Sequence, residues 1–163
     1  MQINLSDLLK SEHILVDLEA KDAREAIEKI IDVLVQTGHV SPEFAEDVWK
    51  REQTFPTGLP TQPLAVAIPH ADPDHVNHSA ICVGILSSPV LFAQMGTDNS
   101  QTLNVHLIFL LAIKEREKQV GVIQQLVTLI QNGSLIESLV KANSPAEALS
   151  FIQKTLADQG QNA

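Results

Sequence analysis

The chain has 163 residues, 44% of them hydrophobic and 19% charged, which is enough for one domain with a buried core and too apolar for a disordered segment. Lys and Arg number 11 against 20 Asp and Glu, a formal net charge of −9, so neither a nucleic-acid backbone nor an anionic membrane surface suits it as a partner. The single cysteine, Cys82, excludes an internal disulfide and the spacing of a zinc ribbon.

The N-terminal stretch MQINLSDLLKSEHILVDL has no basic start followed by an apolar run, as a secretory signal would. HILVDL within it reads as a short strand. DAREAIEKIIDVLVQTG follows as a helix with Ile27, Ile30, Ile31 and Leu34 on one face, Asp22 and Glu25 at its start and Gly38 past its end. A second helix is expected from SPEF, with Ser41 as cap, Pro42 first, and Phe44, Val48 and Trp49 facing inward. It ends near Arg51 and Glu52, before the proline-rich TFPTGLPTQP, which should carry no regular structure.

LAVAI reads as a buried strand, and SAICVGIL, PVLF and LNVHLIFLLAI as three more, the last buried on both faces. The apolar run in that last strand falls far short of the ~20 residues of a membrane span. KEREKQ then opens a helix with a stripe of Val120, Ile123, Leu126, Val127 and Ile130, ending at Asn132–Gly133. Capping boxes are expected at Ser134…Glu137 and Ser144…Glu147, the second with Pro145 just inside. The expected fold is α/β, a mixed sheet of about five strands sandwiched by helices. Residues 1–163 should form one soluble, cytoplasmic domain with a frayed tail from about 158 to 163.

Chemistry concentrates in AIPHADPDHVNH, Ala67 to His78, where three of six histidines fall within nine residues. His70 follows a buried strand and the stiff Pro69, at the strand end where α/β proteins gather functional groups. Three readings compete: a metal site of His70, His75 and His78 with Asp72 or Asp74, a nucleophile with helpers, or an ordinary polar loop. The His-x4-His-x2-His spacing matches no familiar tetrahedral site, and HExxH, GxSxG and glycine-rich phosphate loops are absent. A neutral imidazole is a competent phosphoryl acceptor if one ring nitrogen is held and the other is free. Of the remaining groups, His78 reads as solvent-facing, His13 and His39 as surface, and His106 as a satisfied core histidine. Trp49 and Phe55 read as core and loop packing. Asp72 and Asp74 read as turn formers whose charge would attract a basic partner.

REQTFPTGLPT followed by AVAIPH and HADPDHV resembles the fructose/mannitol-type (type 2) IIA component of the bacterial phosphoenolpyruvate-dependent sugar phosphotransferase system. The resemblance extends from the first helix to the last, and His75 with the FPTGLPT spacer brings it closest to galactitol-type IIA proteins. It implies a mannitol-type IIA fold with His70 as phosphoryl acceptor. The donor would be the carrier HPr, and the acceptor a cysteine of a IIB component serving a IIC membrane partner. It implies Arg51 as the arginine that steadies phosphate charge, and no metal or organic cofactor. Mannitol-type members carry a second histidine where this chain has Gln119, so Gln119 or His75 would support His70 instead. Two other functions stay open: a regulator controlled by His70 phosphorylation, as in nitrogen-type IIA proteins, and a metal-binding module of the histidine loop.

Overall fold

The computed structural model describes residues 4–160, which form six α-helices and five strands. A short helix, α1 (Leu5–Leu8), runs directly into β1 (Leu9–Leu18), and α2 (Ala23–Gln36) follows. At the start of α2 the Asp22 carboxylate accepts the Glu25 N–H at 2.9 Å, while Glu25 accepts the Lys21 N–H at 3.0 Å. Ile27, Ile30, Ile31 and Leu34 are all buried, and Gly38 turns the chain away with φ 77°.

The next helix, α3 (Phe44–Thr54), begins later than the SPEF pattern predicts. Ser41 does not cap it. Its N–H donates to the His75 carbonyl at 2.9 Å and Val40 bridges Val76, so this segment is drawn onto the histidine loop and Glu43 takes the cap position without a side-chain bond. Phe44 and Val48 are buried as expected, whereas Trp49 is only half-buried.

Two strand assignments change. The proline-rich spacer holds a two-residue strand, β2 (Gly58–Leu59), antiparallel to β3 (Ala65–Ala67). Glycine is required in β2 because a Cβ at Gly58 would lie 2.6 Å from the Ala93 carbonyl oxygen. SAICVGIL and PVLF are one strand, β4 (Ala80–Ala93), whose register against β5 (Thr102–Ala112) shifts between Ile85 and Val90. Pro89 lies inside that break, where a missing N–H costs no ladder bond.

The sheet order is β1-β4-β5-β3-β2, with β1 parallel to β4, β3 parallel to β5, and the other pairs antiparallel. Alternate β5 residues serve opposite faces. Leu107, Phe109 and Leu111 pack with the C-terminal helices, while Ile108, Leu110 and Ala112 pack with α2 and α3. That is the expected sandwich.

The C-terminal helices start differently from the prediction. A single 3₁₀ turn (Arg116–Lys118) precedes α4 (Gln119–Ile130), so Val120 is 65% exposed and the buried stripe is Val122, Leu126, Leu129 and Ile130. Asn132–Gly133 opens a helix as well as following one: the Asn132 side chain accepts the Leu135 N–H at 3.0 Å and caps α5 (Gly133–Val140), displacing the Ser134…Glu137 box. Ser144 does cap α6 (Pro145–Asp158), accepting the Glu147 N–H at 3.1 Å, with Pro145 first. Asp158 is still helical, and residues 161–163 of the expected frayed tail lie outside the described residues. Among the described residues no helix is long and apolar enough to cross a membrane.

Candidate functional site

β3 ends at Ala67, and the next three residues are fixed one by one. The Ile68 N–H donates to the Thr57 carbonyl at 3.4 Å, and the Pro69 carbonyl accepts the Leu111 N–H at 3.0 Å, near the end of β5. His70 is then 8% exposed, with Nδ1 2.8 Å from the Ile68 carbonyl oxygen. A carbonyl only accepts, so Nδ1 carries the proton and Nε2 of the neutral ring carries the lone pair. Burial holds the imidazole below its ordinary pKa. The Arg51 charge pulls the same way, against the Ile68 bond and Asp72. The ring is therefore neutral and nucleophilic at pH near 7.

Three elements bring the other expected site residues to this loop. Arg51, in the last turn of α3, lays its guanidinium 5.1 Å from the Phe55 ring centre, and its Nε is buried without a hydrogen-bond partner among the described residues. Gln119, the first residue of α4, donates from Nε2 to the Ala71 carbonyl at 3.0 Å, one residue past His70. His75 lies in a 3₁₀ turn (Pro73–His75), where Nδ1 pairs with the Asp47 carboxylate of α3. That bond raises the His75 pKa above its ordinary value. A cleft of about 220 Å³ beside the loop is lined by Asp47, Lys50, Arg51, Ala71, Asp72 and Asp74.

The loop aspartates, read as turn formers, are paired. Arg116 reaches both, Nη1 to Asp72 at 3.1 Å and Nη2 to Asp74 at 3.6 Å, and offsets their charge beside His70. Phe55, read as loop packing, is 58% exposed, with the Arg51 guanidinium over its ring.

Of the remaining histidines, His78 is exposed as expected, and the other three need correction. His13 is fully buried rather than on the surface. It stands edge-on to His39 at 4.7 Å between ring centres, and both rings contact the Thr37 hydroxyl, at 3.2 and 2.9 Å. His39 is half-buried and meets the exposed His78 at 6.0 Å. His106 is half-buried, and its Nδ1 is buried with no hydrogen-bond partner among the described residues, so it is not the satisfied core histidine expected. His70, His75 and His78 go to three different partners, the Ile68 carbonyl, Asp47 and His39. Among the described residues no three His, Cys, Asp or Glu side chains are grouped to hold a metal ion. Cys82 lies in the core, where burial pushes its thiol up to about 12, far from a working thiolate.

Sequence reasoning missed Asp47, Arg116 and the Glu52–Thr57 pair, in which the buried Glu52 carboxylate accepts the Thr57 N–H at 2.9 Å and its hydroxyl at 2.8 Å. Asp47 stands four residues before Arg51 on one helix, a spacing that puts both on the same face. Arg116 sits in the charged run just before Gln119, and nothing in its spacing to Asp72 and Asp74 announced the contact.

A multiphosphoryl transfer protein of Shigella flexneri is 30% identical over 154 residues, covering 91% of this chain but only 17% of that protein, so the chain spans a small part of that relative. The galactitol-specific EIIA component of Escherichia coli K12 is 28% identical over 119 residues, covering 73% of this chain and 78% of its own. Among solved structures, the complex of enzyme IIAMTL and phosphorylated enzyme IIBMTL from Escherichia coli matches with TM-score 0.75 and 26% identity over 90% of this chain and 97% of that one. The five-stranded mixed sheet with its helices is thus the mannitol-type IIA fold. The family model for the phosphoenolpyruvate-dependent sugar phosphotransferase system, EIIA 2, matches residues 7–155, and the chain belongs to that phosphotransferase family.

Proposed function

We propose that the chain is a phosphoryl carrier that takes a phosphoryl group from phospho-HPr onto Nε2 of His70 and passes it to a cysteine of a IIB component. The observation that carries this reading is the His70 tautomer: with Nδ1–H given to the Ile68 carbonyl, the nucleophilic lone pair belongs to Nε2. In the first transfer the Nε2 lone pair attacks phosphorus in line, and the donor's P–N bond breaks with its electron pair staying on the donor ring. Positive charge grows on the His70 ring, and the Ile68 carbonyl dipole meets it at Nδ1–H. The second transfer reverses this at His70: a cysteine thiolate of IIB forms the S–P bond while the Nε2–P pair returns to the imidazole. Such a transition state is loose, so positioning and charge do most of the work.

Arg51 supplies a cation and a spare N–H donor toward the phosphoryl oxygens. Gln119 holds the loop through Ala71, and His75, paired with Asp47, adds positive charge when protonated. The galactitol-specific relative and the FPTGLPT spacer support a galactitol-like sugar or polyol, with IIB delivering to a IIC membrane partner. Residues 1–163 act as one cytoplasmic IIA domain in this reading, without a cofactor.

The test is a chase. The protein is phosphorylated through HPr, separated, and mixed with the IIB component of a galactitol-type system. Loss of phosphate from His70 with matching gain on the IIB cysteine supports transport, whereas stable retention on His70 would speak for a regulator.

A further inference from the structure

We infer that Glu52 and Thr57 are positioning residues for the His70 imidazole, an inference that rests on the phosphoryl-acceptor reading above. Glu52, in the last turn of α3, is 6% exposed, and Thr57 is 2% exposed. Both carboxylate oxygens are taken by Thr57, Oε2 by its N–H at 2.9 Å and Oε1 by its hydroxyl at 2.8 Å. Burying a carboxylate is costly unless its lone pairs are satisfied, and here one residue satisfies both. Burial pushes the Glu52 pKa up, opposed by the two Thr57 bonds and the neighbouring Arg51 charge.

What this pair holds is the residue that holds His70. The Thr57 carbonyl accepts the Ile68 N–H, and the following residue, Gly58, opens β2 opposite Ala67 of β3. Ile68 is thereby fixed at its N–H by Thr57, while its carbonyl receives Nδ1–H of His70. Pro69, which cannot change φ freely, is fixed at its own carbonyl by Leu111. The direction of the Ile68 carbonyl decides which ring nitrogen keeps the proton. If that carbonyl turns away, Nδ1–H loses its partner, the other tautomer competes, and Nε2 is blocked by a proton. Glu52 also adjoins Arg51, so the end of α3 sets both the imidazole support and the cation beside it. Neither residue touches the reacting atoms, and their effect passes through Ile68.

The test compares Thr57→Val, Thr57→Ser and Glu52→Leu in the full chain. Two readouts are taken: the nitrogen chemical shifts of the His70 ring, and kcat and KM for phosphorylation by phospho-HPr. Wild type should show the Nδ1–H tautomer alone. Thr57→Val and Glu52→Leu should show a mixture and a kcat lower by roughly tenfold, the effect of one lost buried hydrogen bond, with KM unchanged. Thr57→Ser should restore both. If Thr57→Val is folded and keeps the wild-type ring shifts and kcat, with only a lower unfolding midpoint, the pair is merely structural and the inference is overturned. Should Glu52→Leu not fold, the Val and Ser variants at Thr57 decide the matter alone. The ring shifts need no phosphoryl donor, so a wild-type protein that accepts no phosphate would sink the carrier reading while leaving the tautomer result to stand or fall separately.

Discussion

Gln119 opens α4 and gives its side-chain amide to the Ala71 carbonyl at 3.0 Å, tying the helix after β5 to the residue after His70. Gln119→Leu should cost about 1 kcal/mol of stability, as one hydrogen bond does. It should also slow phosphorylation of His70 by freeing the loop. Urea unfolding and a single-turnover assay check the two effects. Unchanged kinetics would reduce Gln119 to a loop fastener.

Arg51 is expected to act on charge rather than on shape. Its cation helps to hold His70 below the ordinary imidazole range. Arg51→Ala should therefore raise the His70 pKa toward about 6.5, visible in an NMR titration. It should also slow transfer by about 10²-fold, the scale of one lost oxyanion donor. Arg51→Lys should recover the pKa effect more fully than the rate, because an ammonium keeps the charge without the planar fork.

The pH profile follows from the same shift. Burial lowers the folded pKa of His70, so the neutral, nucleophilic ring persists below the value of a free imidazole. Phosphorylation should be flat around neutral pH and decline only when pH drops well under about 6.5, through the depressed pKa. A decline beginning above that value would mean that another group controls the step.

His13 should make the fold sensitive to acid. Burial lowers its pKa most, His39 and Lys10 lower it further, and Glu12 opposes them. Because the folded pKa lies below the unfolded one, the unfolded chain binds more protons beneath about pH 6.5, and stability falls as pH is lowered through that window. His39, also lowered by burial and by His78, adds to the same slope. Denaturant unfolding at about pH 7 and about pH 5.5 should show a smaller loss for His13→Leu than for wild type. Equal losses would place the acid sensitivity elsewhere.

The parts of this fold legible from sequence were those with a strong local cause. Asp22 with Glu25, and Ser144 with Pro145, wrote helix starts that the structure keeps. The Ile-Pro-His stretch after a buried strand placed His70 at a strand end, which the hydrogen bonds of Pro69 and Ile68 explain. The errors came from distant contacts. Ser41 lost its capping role because its N–H was needed by His75, and the spacer gained a strand because Gly58 could pack against Ala93. Five strands were expected and five are present, yet not the same five, since Pro89 interrupts pairing without ending β4. His13 was misplaced because its partner, Thr37, is 24 residues away. Likewise Arg116 and the aspartates it pairs with are joined only by the fold.

The most direct test of the account is intact mass after incubation with phosphoenolpyruvate, Enzyme I and HPr, for wild type and His70→Ala. Gain of a single acid-labile phosphoryl group by wild type and none by the mutant is the predicted result. A wild-type chain that gains nothing, or a mutant that gains the group as readily, would contradict the assignment of phosphoryl transfer to His70.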